Sequence, residues 1–124
     1  MPRLEKITRN STGQAKERCA RDILRYLTNR ELERDVLVYA NGKRFRVENH
    51  HVKPEYDIKA SDYVEEADDD LLAICFADSE FYRQLQYGNG GYARPRILQD
   101  LNTFLARRGL QLELIEWMGY ITEV

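Results

Sequence analysis

A chain of 124 residues, 43% hydrophobic and 32% charged, fits one folded, well-hydrated domain better than a disordered chain. No apolar run reaches the length of a membrane span, and the opening Met-Pro-Arg-Leu-Glu-Lys lacks the apolar stretch of a signal peptide, so a cytoplasmic protein without membrane contact is expected. The net charge of −2 hides an asymmetry: residues 1–59 hold 14 Lys/Arg against 9 Asp/Glu, and residues 60–124 hold 5 against 12, which predicts two surfaces of opposite electrostatic preference.

Residues 1–10 contain Arg3, Lys6 and Arg9 and little apolar content; they read as a flexible basic arm on a single domain spanning 1–124. Ser11 and Gln14 fit a capping box with Ser11 as N-cap. Ala15, Cys19, Ile23, Tyr26 and Leu27 recur at helical spacing, so a helix is predicted from Thr12 to Arg30, with Lys16, Glu17, Arg18, Arg21, Asp22 and Arg25 on its outer face. The clearest local signal follows at Asp35–Val47. Asn41-Gly42 separates two alternating runs and is the preferred pair for a type I′ hairpin turn, in which both residues need positive φ. A two-residue loop fixes the register: Ala40 faces Lys43, Tyr39 faces Arg44, and Val38 faces Phe45. Val36, Val38, Phe45 and Val47 then share a core face, and Leu37, Tyr39, Arg44 and Arg46 share the other.

Residues 48–60 are polar and contain Pro54, which predicts a connector. Ser61 is expected to cap a short helix through Ala67. Leu71–Ala77 reads as an interior strand, because Leu72, Ile74 and Phe76 alternate with the small Ala73 and Cys75 and both faces are apolar. Asp78 or Ser79 caps a helix over about 80–87, with Phe81, Tyr82 and Leu85 inward, ended by Gly88-Asn89-Gly90-Gly91. Pro95 opens a further helix striped with Ile97, Leu98, Leu101, Phe104 and Leu105, and Gly109 stands where its C-terminal cap belongs. Leu110–Glu116 alternates as a strand, and Trp117–Val124 continues extended, with Gly119 marking a bulge or bend. The expected class is α+β: an antiparallel sheet of four to five strands built on the Asn-Gly hairpin, with helices mainly on one face.

Asp62, Glu65, Glu66, Asp68, Asp69 and Asp70 place six carboxylates in nine residues with no Lys or Arg among them. Such a row either imitates the phosphate spacing of a nucleic acid and docks in a basic groove, or is a solvated turn ahead of a strand. Tyr87, Tyr92, Arg94 and Arg96 flank the glycine-rich turn and would bind an anion or an acidic partner, or merely join two helices. The turn lacks the Lys-Ser/Thr ending of a phosphate loop. Tyr39, Arg44 and Arg46, with Arg3, Lys6 and Arg9 of the arm, form an alternative nucleic-acid surface; the competing reading is a half-exposed face on which Arg44 covers Tyr39. His50 and His51 are adjacent and point apart in an extended chain, so no metal site is expected. The distant Cys19 and Cys75 read as buried free thiols. No nucleophile–base set is legible, so neither enzymatic activity nor a cofactor is expected.

Tyr63-Val64-Glu65-Glu66-Ala67, followed by Asp70, Leu72, Phe76, Tyr82, Leu85 and Tyr87-Gly88, resembles a pattern in small proteins carried by bacterial plasmids, conjugative elements and phages. Gly109, Leu110, Glu113, Leu114 and Trp117 resemble the ending of the same proteins. The resemblance covers about the last sixty residues and departs at Asp68-Asp69, where those proteins often have Asn-Pro. It implies a mobile-element setting in which small proteins, anti-CRISPR proteins among them, inhibit host defences. The resulting expectation is a non-enzymatic protein whose partner is a nucleic-acid-binding host defence effector met through the acidic surface. The alternative is a nucleic-acid-binding accessory or regulatory protein.

Overall fold

The computed structural model describes residues 12–77, 79–86, 93–115 and 118–123, and the side chains of all of these but 84–86, 93–98 and 123. The first helix, α1 (Gly13–Asn29), is capped by Thr12, whose hydroxyl accepts from the Ala15 amide at 3.2 Å. The cap therefore lies one residue beyond the expected Ser11, which is outside the described residues. Two adjacent hydroxyl residues satisfy the same local rule, and the expected box to Gln14 does not arise, because Ala15 stands at the third position. At its other end α1 closes in a Schellman motif: Leu32 N–H donates to Leu27 C=O at 2.9 Å and Glu31 N–H to Thr28 C=O at 3.1 Å. Glu31 occupies the left-handed position (φ 58°) that glycine usually fills.

The hairpin forms as its sequence dictates. Strands β1 (Leu37–Ala40) and β2 (Lys43–Glu48) pair in the register Val38↔Phe45, Tyr39↔Arg44, Ala40↔Lys43, with Asn41 (φ 54°) and Gly42 (φ 73°) both left-handed. Val36, Val38 and Phe45 are buried beneath α1, with Val47 partly so. Next comes the strand missing from the sequence reading, β3 (His51–Tyr56), paired with β2 along its whole length. Asn49 (φ 52°) and His50 (φ 65°) make a second two-residue turn with both residues left-handed. Pro54 does not break this strand because β3 is an outer strand of the sheet, where a missing N–H costs no ladder bond on the open side.

In place of the expected helix over 61–67 there is one 3-10 turn, Ala60–Asp62, within an irregular strap from Asp57 to Leu71. Strand β4 (Leu72–Cys75) is buried on both faces, as its alternation predicts. Helix α2 (Glu80–Gln86) is capped by Ser79, whose hydroxyl accepts from Tyr82 N–H at 3.0 Å and donates to Phe76 C=O at 2.6 Å. Helix α3 (Ala93–Ala106) precedes Gly109 (φ 74°), then β5 (Leu110–Ile115) and β6 (Met118–Glu123). Gly119 makes no bulge. The register runs unbroken through it, and a side chain there would strike Glu113 C=O and Leu112.

The result is a six-stranded antiparallel sheet in the order β3-β2-β1-β4-β6-β5, one strand more than the upper expectation because of β3. All three helices cover one face, where Ile23, Leu27, Phe45, Leu72, Ile74, Phe81, Leu101, Leu105 and Ile121 form the main core. The opposite face carries a smaller core of Tyr39, Ala73, Cys75 and Met118, closed by Ile58, Ala60, Val64 and Ala67 of the strap.

Two stability measurements check this packing. Phe45→Ala should cost about 3–5 kcal/mol in urea denaturation, because a fully buried aromatic is truncated between α1 and the sheet. Glu31→Gly should raise stability by about 1 kcal/mol, because it relieves a left-handed non-glycine residue without touching the Schellman bonds.

Candidate functional site: an acidic ridge across the sheet

The strap owes its shape to the carboxylates that the sequence displays as a uniform row. A segment without regular structure leaves amides without ladder partners, and here side chains accept them. The Asp62 carboxylate accepts from Lys59 N–H at 2.9 Å. Asp69 takes both the amide of Ser61, at 3.1 Å, and its hydroxyl. Asp68 accepts from Asp70 N–H at 3.0 Å, and its own amide donates to the Tyr120 hydroxyl at 3.0 Å. Backbone bonds complete the frame: Ile58 N–H to Gly42 C=O and Val64 N–H to Ala60 C=O. Lys16, expected on the outer face of α1, is nearly buried, and its ammonium donates to the carbonyl of Asp70.

The six carboxylates thus divide. Asp62, Asp68 and Asp69 hold turns together, while Glu65 and Glu66 are exposed, and Tyr63, two residues before Glu65, is 65% exposed. Because Val64 and Ala67 anchor the strap to the second core, the exposed acids sit on a fixed support. The sequence names Tyr63 in the mobile-element pattern but not among the expected site residues; its place directly before the inward-facing Val64 was the available signal.

The alternative surface is altered more. Tyr39 is 5% exposed beneath the strap, and its burial raises its hydroxyl pKa. Arg44 touches the Tyr39 hydroxyl, but the ring its guanidinium lies over is that of Tyr63, 5.5 Å from the centroid, and it grips Glu55 through two bonds of 2.9 and 3.1 Å. That paired bond raises the Arg44 pKa and lowers that of Glu55. Arg46 lies 3.5 Å from both Glu48 and Glu55. Arg44 and Arg46 therefore border the ridge with their charge largely answered by carboxylates on β2 and β3.

Of the other expected site residues, Arg3, Lys6 and Arg9 of the arm, and Tyr87 and Tyr92, lie outside the described residues. Arg94 and Arg96 belong to the first turn of α3. That helix packs on the helical face of the sheet through Leu101 and Leu105, whereas the acidic strap covers the opposite face.

Cys19 and Cys75 are buried and free, on opposite sides of the sheet. Burial pushes their thiols up to about 12 and about 11, away from thiolate chemistry at neutral pH. Among the described residues no group of three His, Cys, Asp or Glu is placed to hold a metal ion, and no helix is long and apolar enough to cross a membrane. No protein-family model, curated protein or solved structure matches the chain.

The Arg44–Glu55 grip has a pH signature. Glu55 binds its proton less tightly folded than unfolded, so its contribution to stability is complete above its ordinary value of 4.5 and disappears as pH falls through the lower folded-state value. Denaturation between about pH 6 and pH 2 should show that acid-side loss, and Glu55→Gln should flatten it while lowering stability at neutral pH. An unchanged acid limb in Glu55→Gln would assign the loss to other groups.

Proposed function

We propose that this chain is a non-enzymatic interaction protein that docks its acidic ridge on the basic, nucleic-acid-binding surface of a host defence effector and inhibits it, as anti-CRISPR proteins do. The observation that carries the reading is the exposure of Glu65 and Glu66 close after the exposed Tyr63, on a strap in which Asp62, Asp68 and Asp69 hold the turns. Exposed acids beside an exposed aromatic complement a groove built for phosphates and bases, because charge steers the encounter and the ring supplies contact area at low entropic cost. The resemblance of Tyr63–Gly88 and of Gly109–Trp117 to mobile-element proteins supplies the host-defence setting, and a cytoplasmic location belongs to the same proposal. The nucleic-acid reading draws less support, since Tyr39 is buried and Arg44 is committed to Glu55.

The test uses purified, guide-loaded Cas nucleases and a restriction endonuclease as probes, with DNA cleavage and association rate as readouts. Glu65→Gln and Glu66→Gln together remove two exposed charges and leave Asp62, Asp68 and Asp69, which hold the turns, in place. The expected result is a folded variant that associates about tenfold more slowly with the nuclease the parent inhibits, with a weaker salt dependence. Equal binding and inhibition by parent and variant at physiological salt would reject the ridge as the contact surface. DNA binding by the parent at low salt, lost on deleting residues 1–10, would favour the accessory-protein reading instead.

A further inference from the structure

The two outer strands of the sheet are built differently. β3 carries Lys53 and Pro54, which discourage another strand from pairing with it. β5, Leu-Gln-Leu-Glu-Leu-Ile, has neither lysine nor proline and, among the described residues, pairs only with β6. Two of the four large hydrophobic side chains exposed among the described residues, Leu114 at 37% and Ile115 at 54%, lie at the end of this strand. The β5–β6 hairpin closes on Ile115↔Met118, with two residues between them in sequence, so Ile115, Glu113 and Gln111 exchange their backbone bonds with β6. By the alternation of an antiparallel ladder, the N–H and C=O groups of Leu110, Leu112 and Leu114 then point away from the sheet.

The geometry points to a second copy of this chain as the occupant of that edge, in an antiparallel β5–β5 pairing about a two-fold axis at Leu112. In this register Leu112 faces its own copy and Leu110 faces Leu114 of the other chain, so all three outward-directed residues find partners and the leucines form one apolar row. Glu113, the one charge on β5, faces Gln111 of the other chain, whose amide can donate to it; the neighbouring register centred on Glu113 would oppose two carboxylates. The pairing asks nothing of Gln111's backbone, which is turned toward β6. Glu113 is already steadied on that face by the Thr122 hydroxyl at 3.2 Å. Five paired residues bury less than the ~1,200 Å² of a stable specific interface, so the dimer is a reversible one. This inference is independent of the acidic ridge, which lies on a sheet face and not at its edge.

Sedimentation velocity of the full chain, from about 5 µM to about 1 mM, reads the association directly. The expected result is a mass rising from 14.6 kDa toward twice that value. The register makes a signed prediction: Gln111→Lys, placing a cation opposite Glu113 of the other chain twice per dimer, should tighten association about threefold to tenfold, and Gln111→Glu should weaken it by a similar factor. Hydrogen exchange on the parent chain needs no variant. The amides of Leu110, Leu112 and Leu114 should gain protection as concentration rises, while those of β3 do not. A monomer over the whole range, exchange at β5 independent of concentration, or charge variants that shift association in the same direction would each overturn the proposal.

Discussion

An interior strand has to satisfy two cores at once, and β4 does so by alternating large and small side chains. Leu72 and Ile74 face the helices, where Leu27, Phe81 and Leu101 join the same packed cluster. Ala73 and Cys75 face the other way, and their small size allows a third layer to lie close. That layer is an irregular strap and not a helix, and it reaches the sheet with Ile58, Ala60, Val64 and Ala67. Large residues at 73 and 75 would hold the strap away from the sheet, and with it the position of every exposed carboxylate.

The strap explains why the charges of this protein do two kinds of work. A segment lying on a sheet without helical or strand ladders exposes amides that need acceptors, and short acidic side chains supply them locally. Asp62 and Asp69 close turns in this way, and Lys16 reaches across from α1 to meet the Asp70 carbonyl. Elsewhere charge joins elements directly: Glu17 of α1 accepts from Lys43 at 2.9 Å and from the Asn41 side chain at 2.7 Å, tying the helix to the hairpin turn. Burial acts to raise the Glu17 pKa, but these two bonds together with the charges of Lys43 and Arg21 outweigh it and leave the value lowered. Arg44 performs the equivalent task between β2 and β3 through Glu55, and places its planar group over Tyr63 at the border of the ridge.

What was legible in the sequence was whatever depends on neighbours along the chain. Asn41-Gly42 fixed both the turn type and the pairing of Val38 with Phe45, because left-handed φ at two adjacent positions admits few residue pairs. The alternation at Leu72–Cys75 announced a strand buried on both sides, and Gly109 marked the end of α3, since each is a local steric or solvation preference. β3 was hidden because Asn49-His50 is a less usual left-handed pair than Asn-Gly, and because the proline penalty depends on whether a strand is interior or outermost, a fact of sheet order.

The candidate site divides along the same line. The sequence by itself determined that six carboxylates would stand together without a cation among them, and that Val36, Val38 and Phe45 would face a core. Only the tertiary structure decided which carboxylates are turned toward amides and which toward water, that Tyr39 is covered while Tyr63 is exposed, and that the acidic strap and α3 lie on opposite faces of the sheet. Composition and periodicity report the solvation preference of a side chain. The partner that satisfies it comes from a segment distant along the chain, and the positions of such segments are set by the packing of two cores against one sheet.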